Sequence, residues 1–235
     1  MPHLLDYKKM RKAVGVDDSV DIIAAIQAEK CRDRKAAMWA AVEEVELEGL
    51  KQLKLREECV SVLQSVSRLS PPPHILNLYC PPVDVDPSGS AEDIPPFQMR
   101  SVPMALITRN AQKNIKHFFR AAELSAAELG MWPIMSRDSK IIKPDPSVLT
   151  HVAKLWQLPS IQNLLMVGDS HRDDILCGRA AGAQTMLIVN ETSPDGHHRG
   201  NEWALKVDDA ADYHGNDLSA VIQVIAQSWS TTPSS

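Results

Sequence analysis

Short apolar runs alternate with helical patterns over the second half of this 235-residue chain. Four runs have the length and composition of buried strands, and they lie at residues 104–107, 132–135, 164–167 and 185–189. Between them apolar residues recur at helical spacing, as Ile115, Phe118 and Phe119 do. Strands separated by helices form parallel sheets with both faces covered. The sequence therefore predicts an α/β fold with a Rossmann-like three-layer core.

The first third of the chain is helical in character. Apolar residues recur on one face over residues 20–26 and again over residues 38–45, and Gly49 is expected to end the second of these helices. We predict an N-terminal helical region at residues 1–55. Residues 56–69 and 104–230 are assigned to the α/β core, which a strand near residue 207 and a last helix complete.

A proline-rich stretch separates these two parts. Residues 70–103 hold more than half of the sixteen prolines of the chain. Prolines lack a backbone donor and fix φ, so they do not fit a central strand or a helix interior. We predict an exposed loop or insert here. Residues 74–80 are the exception, because they form a short apolar run that can pair as a strand.

Composition limits the classes of partner and location. The net charge of -5 gives no reason to expect nucleic acid or an anionic membrane as partner. The four cysteines have neither a pairing motif nor metal-ligand spacing, which is typical of reduced, mostly buried thiols in a cytoplasmic protein. No apolar run is long enough to span a bilayer. The first residues resemble neither a signal peptide nor an Arg-rich leader, although an organellar location stays open.

Polar residues follow two of the predicted strands directly. Thr108, Arg109 and Asn110 come after the first strand, where a hydroxyl and backbone N–H groups at a helix start can hold phosphate oxygens. A threonine in this position is often only structural. Ligands of parallel sheets lie at the carboxyl ends of the strands, so we expect these residues near Asp169, which follows the strand at residues 164–167.

Two further clusters carry charge. Lys143 precedes a proline-stiffened helix start, where its ammonium can neutralise a transferring phosphoryl group; a solvated lysine is the simpler alternative. After Gly168, which permits a tight turn, Asp169 projects towards the cleft, and Asp173 follows one helical turn later. Two such carboxylates suit Mg²⁺, which keeps waters and substrate phosphate as its other ligands. Asp173 and Asp174 can also simply complement a helix N-terminus.

In this order, the three clusters resemble motifs II, III and IV of the haloacid dehalogenase (HAD) superfamily, in its phosphoglycolate-phosphatase-like branch. The matching segments are Leu-Ile-Thr-Arg-Asn at 106–110, Lys-Pro-Asp-Pro at 143–146 and Met-Val-Gly-Asp-Ser-x-x-Asp-Asp-Ile at 166–175. The resemblance implies a HAD core with the N-terminal helices as a small cap.

The resemblance also implies roles for single residues. Thr108, with Arg109 and Asn110 beside it, would bind the substrate phosphoryl group. Lys143 would act in catalysis by stabilising the nucleophile and the transition state.

The third motif implies the metal site. Asp169 would ligate Mg²⁺, and Asp173 would support the metal or Lys143, with Asp174 as the second choice for that role. The implied reaction is hydrolysis of a small phosphorylated metabolite, a phosphate monoester, through an aspartyl-phosphate. The alternative is a catalytically inactive binding or regulatory protein on the same fold. A dinucleotide-dependent enzyme is disfavoured, because no Gly-x-Gly-x-x-Gly follows a strand.

The chain departs from the superfamily at its first motif. Similar proteins carry the nucleophilic Asp in an Asp-x-Asp-Gly-Thr motif on the first strand, and residues 2–11 here look like the stretch that follows it. That strand lies at the centre of the sheet, between the strands that end at Thr108 and Asp169. Its absence predicts two unpaired edges facing a gap, where each unpaired buried group costs about 1–3 kcal/mol.

Three explanations compete for this departure. The favoured one is an incomplete chain, from a start assigned too far downstream or a shortened splice form. The second is a genuine non-catalytic relative that keeps metal and phosphate binding. The third is internal replacement, in which residues 74–80 fill the central position and Asp84 and Asp86 supply carboxylates. The flanking prolines disfavour the third explanation.

Overall fold

A computed structural model describes residues 7–17, 19–51, 54–71, 101–189 and 210–230. The predicted insert at residues 70–103 lies almost wholly outside this part, as do Cys80, Asp84, Asp86 and the predicted strand near residue 207. The chain divides into two compact units, Met1–Leu55 and Arg56–Ser235, and each is described by itself.

The first unit is helical. Its helices are α1 (Tyr7–Val14), α2 (Ile22–Ala28) and α3 (Arg32–Lys51). The side chain of Asp21 accepts a hydrogen bond from the N–H of Ala24 at 2.9 Å, which starts α2. The prediction that Gly49 ends a helix is wrong, because α3 continues to Lys51. The apolar faces of the three helices form one buried cluster, made of Met10, Val14, Ile22, Ile26, Met38, Val42 and Val45.

The second unit alternates helices and strands after a first helix. Its helices are α4 (Cys59–Arg68), α5 (Gln112–Ala121), α6 (Ser147–Leu155), α7 (Leu176–Ala181) and α8 (Ala220–Ser230). Its strands are β1 (Met104–Ile107), β2 (Met131–Met135), β3 (Leu165–Gly168), β4 (Gln184–Ile188) and β5 (Tyr213–Gly215). This order confirms the predicted α/β class. The short strand β5 was not predicted.

All strand pairs of the second unit are parallel, but the described strands form two sheets. One sheet has the order β1-β2 and the other the order β3-β4-β5. Along β3, Met166 packs into a cluster with α6 residues, whereas Leu165 and Val167 pack against the cluster of α8. Successive side chains of a strand point to opposite faces, so α6 and α8 cover opposite faces of the sheet. The layers are those of a three-layer α/β core.

A cavity of about 520 Å³ lies between the facing edges of β1 and β3. We call it the interstrand cavity. Its walls are β1, β3 and their flanking residues, together with side chains of α4 and α8 and, on the other face, α6. Within the described residues, β1 pairs only with β2, and β3 pairs only with β4. Among the described residues, the second edges of β1 and β3 therefore border one space.

Local details differ from the sequence prediction in two places. The segment before α7 is a single π-helical turn, His171–Ile175, where an ordinary helix from about Asp173 was expected. Of the described cysteines only Cys177 is buried, while Cys31 is exposed and Cys59 half-buried. The expectation of mostly buried thiols is thus wrong for this part of the chain. Among the described helices, none has the length and apolar character needed to cross a bilayer.

Candidate functional site

The turn after β1 is fixed by its own hydrogen bonds. The N–H of Thr108 donates to the carbonyl of Met135 at 2.9 Å, which extends the pairing with β2 by one residue. The hydroxyl oxygen of Thr108 accepts from the backbone N–H of Asn110 at 3.1 Å and from its side-chain amide at 3.2 Å. Hydroxyl-to-backbone bonds of this kind replace helix geometry with a tight turn. The turn presents Thr108, Arg109 and Asn110 at the carboxyl end of the strand.

A second anchor holds the start of α5. The carboxylate of Asp138 accepts from the N–H of Gln112 at 2.9 Å, and the N–H of Arg137 donates to the carbonyl of Asn110 at 3.1 Å. Both residues follow β2, so the loop after β2 supports the turn after β1. Asp138 was not among the predicted site residues. A carboxylate distant in sequence gives no signal for such a contact.

Lys143 reaches across to the turn that follows β3. Its ammonium forms a very short ion pair with the carboxylate of Asp174. The side chains are 12% and 4% exposed, respectively, so both charges are largely removed from water. The sequence favoured Asp173 for this contact, and the structure brings Lys143 to Asp174 instead.

Asp174 is held from three directions. Besides the ion pair, its carboxylate accepts from the N–H of Ser170 at 3.0 Å. It also lies against the backbone of Gly168, where an added Cβ would overlap its side chain. Burial raises the pKa of Asp174, Lys143 and the Ser170 N–H oppose that rise, and the neighbouring Asp169 adds to it. Packing against Asp174 therefore requires the glycine at position 168.

Arg109 and Asp173 form a second contact between the two turns. The guanidinium of Arg109 donates to Oδ2 of Asp173 at 2.9 Å, and both side chains are about one-fifth exposed. The N–H of Asp173 donates to the hydroxyl of Ser170 at 3.1 Å, which caps the π-helical turn. The residues after β1 and those after β3 thus meet at one edge of the unit.

Two carboxylates of this edge fit a hard cation. Asp169 directly follows β3 and is exposed. Oδ1 of Asp173 is buried and accepts no hydrogen bond, which is costly for a carboxylate oxygen unless a cation is bound. Within the described ranges no cluster of three or more His, Cys, Asp or Glu could hold a metal. Mg²⁺ suits two carboxylates, because waters and substrate phosphate complete its coordination.

Cys177 lies close to these charges but does not belong to the reactive set. Its thiol is buried and donates weakly to the carbonyl of Asp145 at 3.6 Å. Burial raises its pKa to about 11. The thiol therefore stays protonated at neutral pH and is a poor nucleophile.

The structure thus brings the predicted residues together. Thr108, Arg109 and Asn110 follow β1, Asp169 and Asp173 follow β3, and Arg109–Asp173 and Lys143–Asp174 contacts connect them. Lys143 contacts Asp174, which the sequence ranked second for this role, and both Asp173 and Asp174 lie in the π-helical turn. The roles proposed for these residues stay predictions.

Comparison with known proteins gives a family match for part of the α/β unit. Residues 141–219 match a family model described as HAD-hydrolase-like. A haloacid dehalogenase-like hydrolase domain-containing protein of Arabidopsis thaliana is 36% identical over 100 residues, which are 43% of this chain and 38% of that protein. The chain therefore matches well under half of this curated relative's length.

Solved structures share the fold at low sequence identity. A predicted phosphoglycolate phosphatase of Haemophilus somnus superposes with a TM-score of 0.56 at 14% identity, covering 95% of this chain and 91% of the other. The putative HAD-hydrolase YfnB of Bacillus subtilis, determined with bound magnesium, gives a TM-score of 0.50 at 13% identity, with 94% and 89% coverage. These structures show the shared fold, and residues 141–219 are similar to HAD-like hydrolases.

The family match includes two of the three predicted motifs. The family match begins before Lys143 and includes Asp169 and Asp173, whereas Thr108 lies outside the matched residues. The contacts of Arg109 and Lys143 with the turn after β3 join the matched and unmatched parts of the candidate site.

Proposed function

We propose that the α/β unit binds the phosphoryl group of a small phosphate monoester and one Mg²⁺ at the carboxyl ends of β1 and β3. The observation that carries this proposal is the pair of contacts Arg109–Asp173 and Lys143–Asp174, which brings two cations and two carboxylates to one edge. A phosphoryl group and its cation need this combination of charges. A HAD-type phosphatase, acting on a small phosphorylated metabolite, is the function that the site supports best.

The anion is bound by the turn after β1 and by Lys143. The hydroxyl oxygen of Thr108 accepts from Asn110, which leaves its own O–H to donate to a phosphoryl oxygen. The N–H groups at the start of α5 favour negative charge at the same end of the strand. Lys143 supplies a positive charge in a site largely shielded from water, where electrostatic stabilisation of an anion is strongest.

The cation is bound by the turn after β3. Asp169 and Oδ1 of Asp173 would hold Mg²⁺, and the ion would neutralise part of the charge of the phosphoryl oxygens. Oδ2 of Asp173 stays with Arg109, so this carboxylate orients the anion-binding guanidinium while it contributes to the metal site. Asp174 does not take part in metal binding, because Lys143 and Ser170 occupy its oxygens.

Hydrolysis needs a nucleophile besides these groups. In the reaction implied by the resemblance, a carboxylate attacks phosphorus, the alcohol leaves with a proton, and water then hydrolyses the aspartyl-phosphate. The carboxylates of Asp169, Asp173 and Asp174 follow β3, and that of Asp138, after β2, already accepts a hydrogen bond from the N–H of Gln112. We assign the nucleophile to residues outside the described ranges.

The experiment is hydrolysis of para-nitrophenyl phosphate with added Mg²⁺, by this chain and by a version extended upstream in its own transcript. We expect activity in the extended version and its loss in Asp169→Ala, with Asp33→Ala in the helical unit as the control. Activity of the extended version that does not depend on Asp169 would refute the site. Activity of the 235-residue chain itself would place the nucleophile within these 235 residues and direct attention to Asp84.

A second candidate function is phosphate and metal binding without turnover. The interstrand cavity favours it, because its described lining contains no carboxylate that could act as nucleophile. Titration calorimetry with Mg²⁺ and orthophosphate separates the candidates. Saturable, mutually dependent binding by both forms of the chain, with no hydrolysis by either, supports the binding protein.

A further inference from the structure

We propose that Arg109 makes cation binding at the carboxyl ends of β1 and β3 depend on the bound anion, so that the metal ion and the phosphoryl group bind together. The inference rests on the proposed function, because it concerns the same two ligands. Arg109 acts on the cation through Asp173, as a positioning residue, and on the phosphoryl group directly. Its effects on the two ligands therefore have opposite signs: it weakens binding of the cation alone and strengthens binding of the anion.

A side-chain hydrogen bond connects the two binding turns. Arg109 directly follows Thr108 in the turn after β1, and Asp173 lies four residues after Asp169 in the turn after β3. The guanidinium of Arg109 donates to Oδ2 of Asp173 at 2.9 Å. The proposed anion ligands and the proposed cation ligands therefore meet at this contact. A change of charge in one turn alters the electrostatic energy of the other.

The carboxylate of Asp173 has one oxygen bonded and one open. Oδ2 is bonded to Arg109, whereas Oδ1 is buried and accepts no hydrogen bond. The N–H of Asp173 donates to the hydroxyl of Ser170 at 3.1 Å, which fixes the position of the residue. A cation at Oδ1 would share this carboxylate with the guanidinium. Two positive groups on one carboxylate repel each other, so Arg109 lowers the affinity for a cation that binds without an anion.

The neighbouring ion pair has no comparable open position. The buried carboxylate of Asp174 accepts from Lys143 and from the N–H of Ser170. The side chains of Arg109 and Asp173 are about one-fifth exposed, so ligands can reach them from solvent. Lys143 therefore supplies a fixed charge. Of these two cations, Arg109 is the one whose surroundings change when ligands bind.

A phosphoryl group beside Thr108 reverses the effect of Arg109 on the cation. Its negative oxygens would accept from the guanidinium, whose planar fork of donors suits phosphate. The charge of Arg109 is then balanced by the anion as well as by Asp173, and its repulsion of the cation falls. Because linkage is reciprocal, the cation raises the affinity for the anion by the same factor. Arg109 therefore disfavours metal in a site without substrate.

The test measures cation and anion binding separately, with the whole 235-residue chain. The probe is Mn²⁺, which suits carboxylate sites and is counted as free ion by electron paramagnetic resonance. We expect Arg109→Met to bind Mn²⁺ without phosphate at least about threefold more tightly than the unsubstituted chain, because a positive charge has left the carboxylate. The same variant should bind orthophosphate in saturating Mn²⁺ at least about tenfold more weakly.

Two variants serve as controls. Arg109→Lys keeps the charge and should leave the Mn²⁺ affinity unchanged. Arg120→Met removes a positive charge at an exposed position of α5 and should change neither affinity. A residue that merely holds the two turns together would weaken the binding of both ligands when removed. That result, or an unchanged Mn²⁺ affinity in Arg109→Met, would overturn the inference.

Failure of the proposed function gives a different result. If the unsubstituted chain binds no Mn²⁺, the proposed function fails and the inference fails with it. If the unsubstituted chain binds Mn²⁺ and Arg109→Met binds it no more tightly, the inference alone fails.

A measurement on the unsubstituted chain replaces the variant if Arg109→Met does not fold. Phenylglyoxal modifies accessible arginines, and peptide mass mapping follows Arg109 and Arg120 in one sample. We expect orthophosphate with Mg²⁺ to slow the modification of Arg109 and Mg²⁺ alone to leave it unchanged, while Arg120 reacts equally throughout. Protection by Mg²⁺ alone, or equal rates with and without orthophosphate, would overturn the inference.

Discussion

Strands of similar composition are buried to different extents in the two sheets. In β4, which has a neighbour on each side, four of the five residues are buried. In β1, whose second edge faces the interstrand cavity, all four apolar residues are only half-buried. Apolar composition is therefore not sufficient for burial. The cavity beside β1 accounts for the partial exposure of its side chains.

The two sheets are joined by different interactions at different depths. In the interior, Met135 of β2, Leu149 of α6 and Met166 of β3 belong to one apolar cluster. At the carboxyl edge, the ion pairs Arg109–Asp173 and Lys143–Asp174 connect the turns. Apolar packing tolerates small shifts of the two halves, whereas short charge contacts fix the distance between the turns. The geometry of the candidate site depends on these charge contacts.

The largest loss of unfolding free energy should follow from replacing the lysine of the buried Lys143–Asp174 ion pair. Lys143→Met leaves the carboxylate of Asp174 buried without its cation, which costs about 3–5 kcal/mol of unfolding free energy. Lys154→Met, at an exposed position of α6, is the control. Urea denaturation at pH 7 measures both variants. A loss no larger than that of the control would show that the pair does not hold the two turns together.

Truncating a methionine should cost less unfolding free energy in a strand that borders the interstrand cavity than in a strand with a neighbour on each side. Met186 of β4 is 0% exposed, whereas Met166 of β3 borders the interstrand cavity. We expect Met186→Ala to cost about 4 kcal/mol and Met166→Ala about 2 kcal/mol, since Met166 already lacks contact atoms on one side. Denaturant unfolding of both variants gives the difference. Equal losses would contradict the incomplete packing of β3.

Loss of the Arg109–Asp173 ion pair, whose side chains are about one-fifth exposed, should have a smaller effect on stability. Arg109→Met removes the contact with Asp173 in a partly solvated position, for which about 1 kcal/mol is expected. Thermal unfolding at low and at high salt provides the measurement, because screening should shrink the difference from the unsubstituted chain. A loss as large as that of Lys143→Met would place Arg109 in the structural core instead of the binding edge.

The smallest expected effect is a change of unfolding free energy with pH. The pKa of Asp174 is raised above its ordinary 3.8 mainly by burial, so between the two values the folded chain binds more protons than the unfolded chain. The contribution of Asp174 to stability therefore falls as pH rises from 3.8 through the raised pKa, and is constant above it. The stability of the unsubstituted chain minus that of Asp174→Asn should show this decline. A difference that grows with pH would mean that the pKa of Asp174 is lowered.

The sequence located the strands of the α/β unit because short apolar runs with turn signals leave few alternatives. Residues 132–135 and 185–189 match β2 and β4 within one residue at each end. The end of α3 was misplaced, since a glycine can continue a helix when its neighbours favour one. The strand β5 escaped detection because its three residues, Tyr213, His214 and Gly215, carry no apolar pattern.

The residues of the candidate site were predictable, but their pairing was not. Position after a strand identified Thr108 and Asp169, and motif resemblance identified Lys143. The choice between Asp173 and Asp174 depends on one π-helical turn, in which a single added residue rotates the following side chains. The contact of Asp138 with α5 depends on a loop 26 residues away in the chain. Such contacts have no local signature.

By itself, the sequence determined the α/β class, the helical N-terminal region and the set of residues at the strand ends, because hydrophobic periodicity and strand-end position are local properties. Only the tertiary structure decided that the described strands form two sheets, that a cavity separates them and that Lys143 contacts Asp174. These features depend on which segments become neighbours in space. That is settled by the packing of the whole unit, where burial, backbone pairing and charge contacts must be satisfied together.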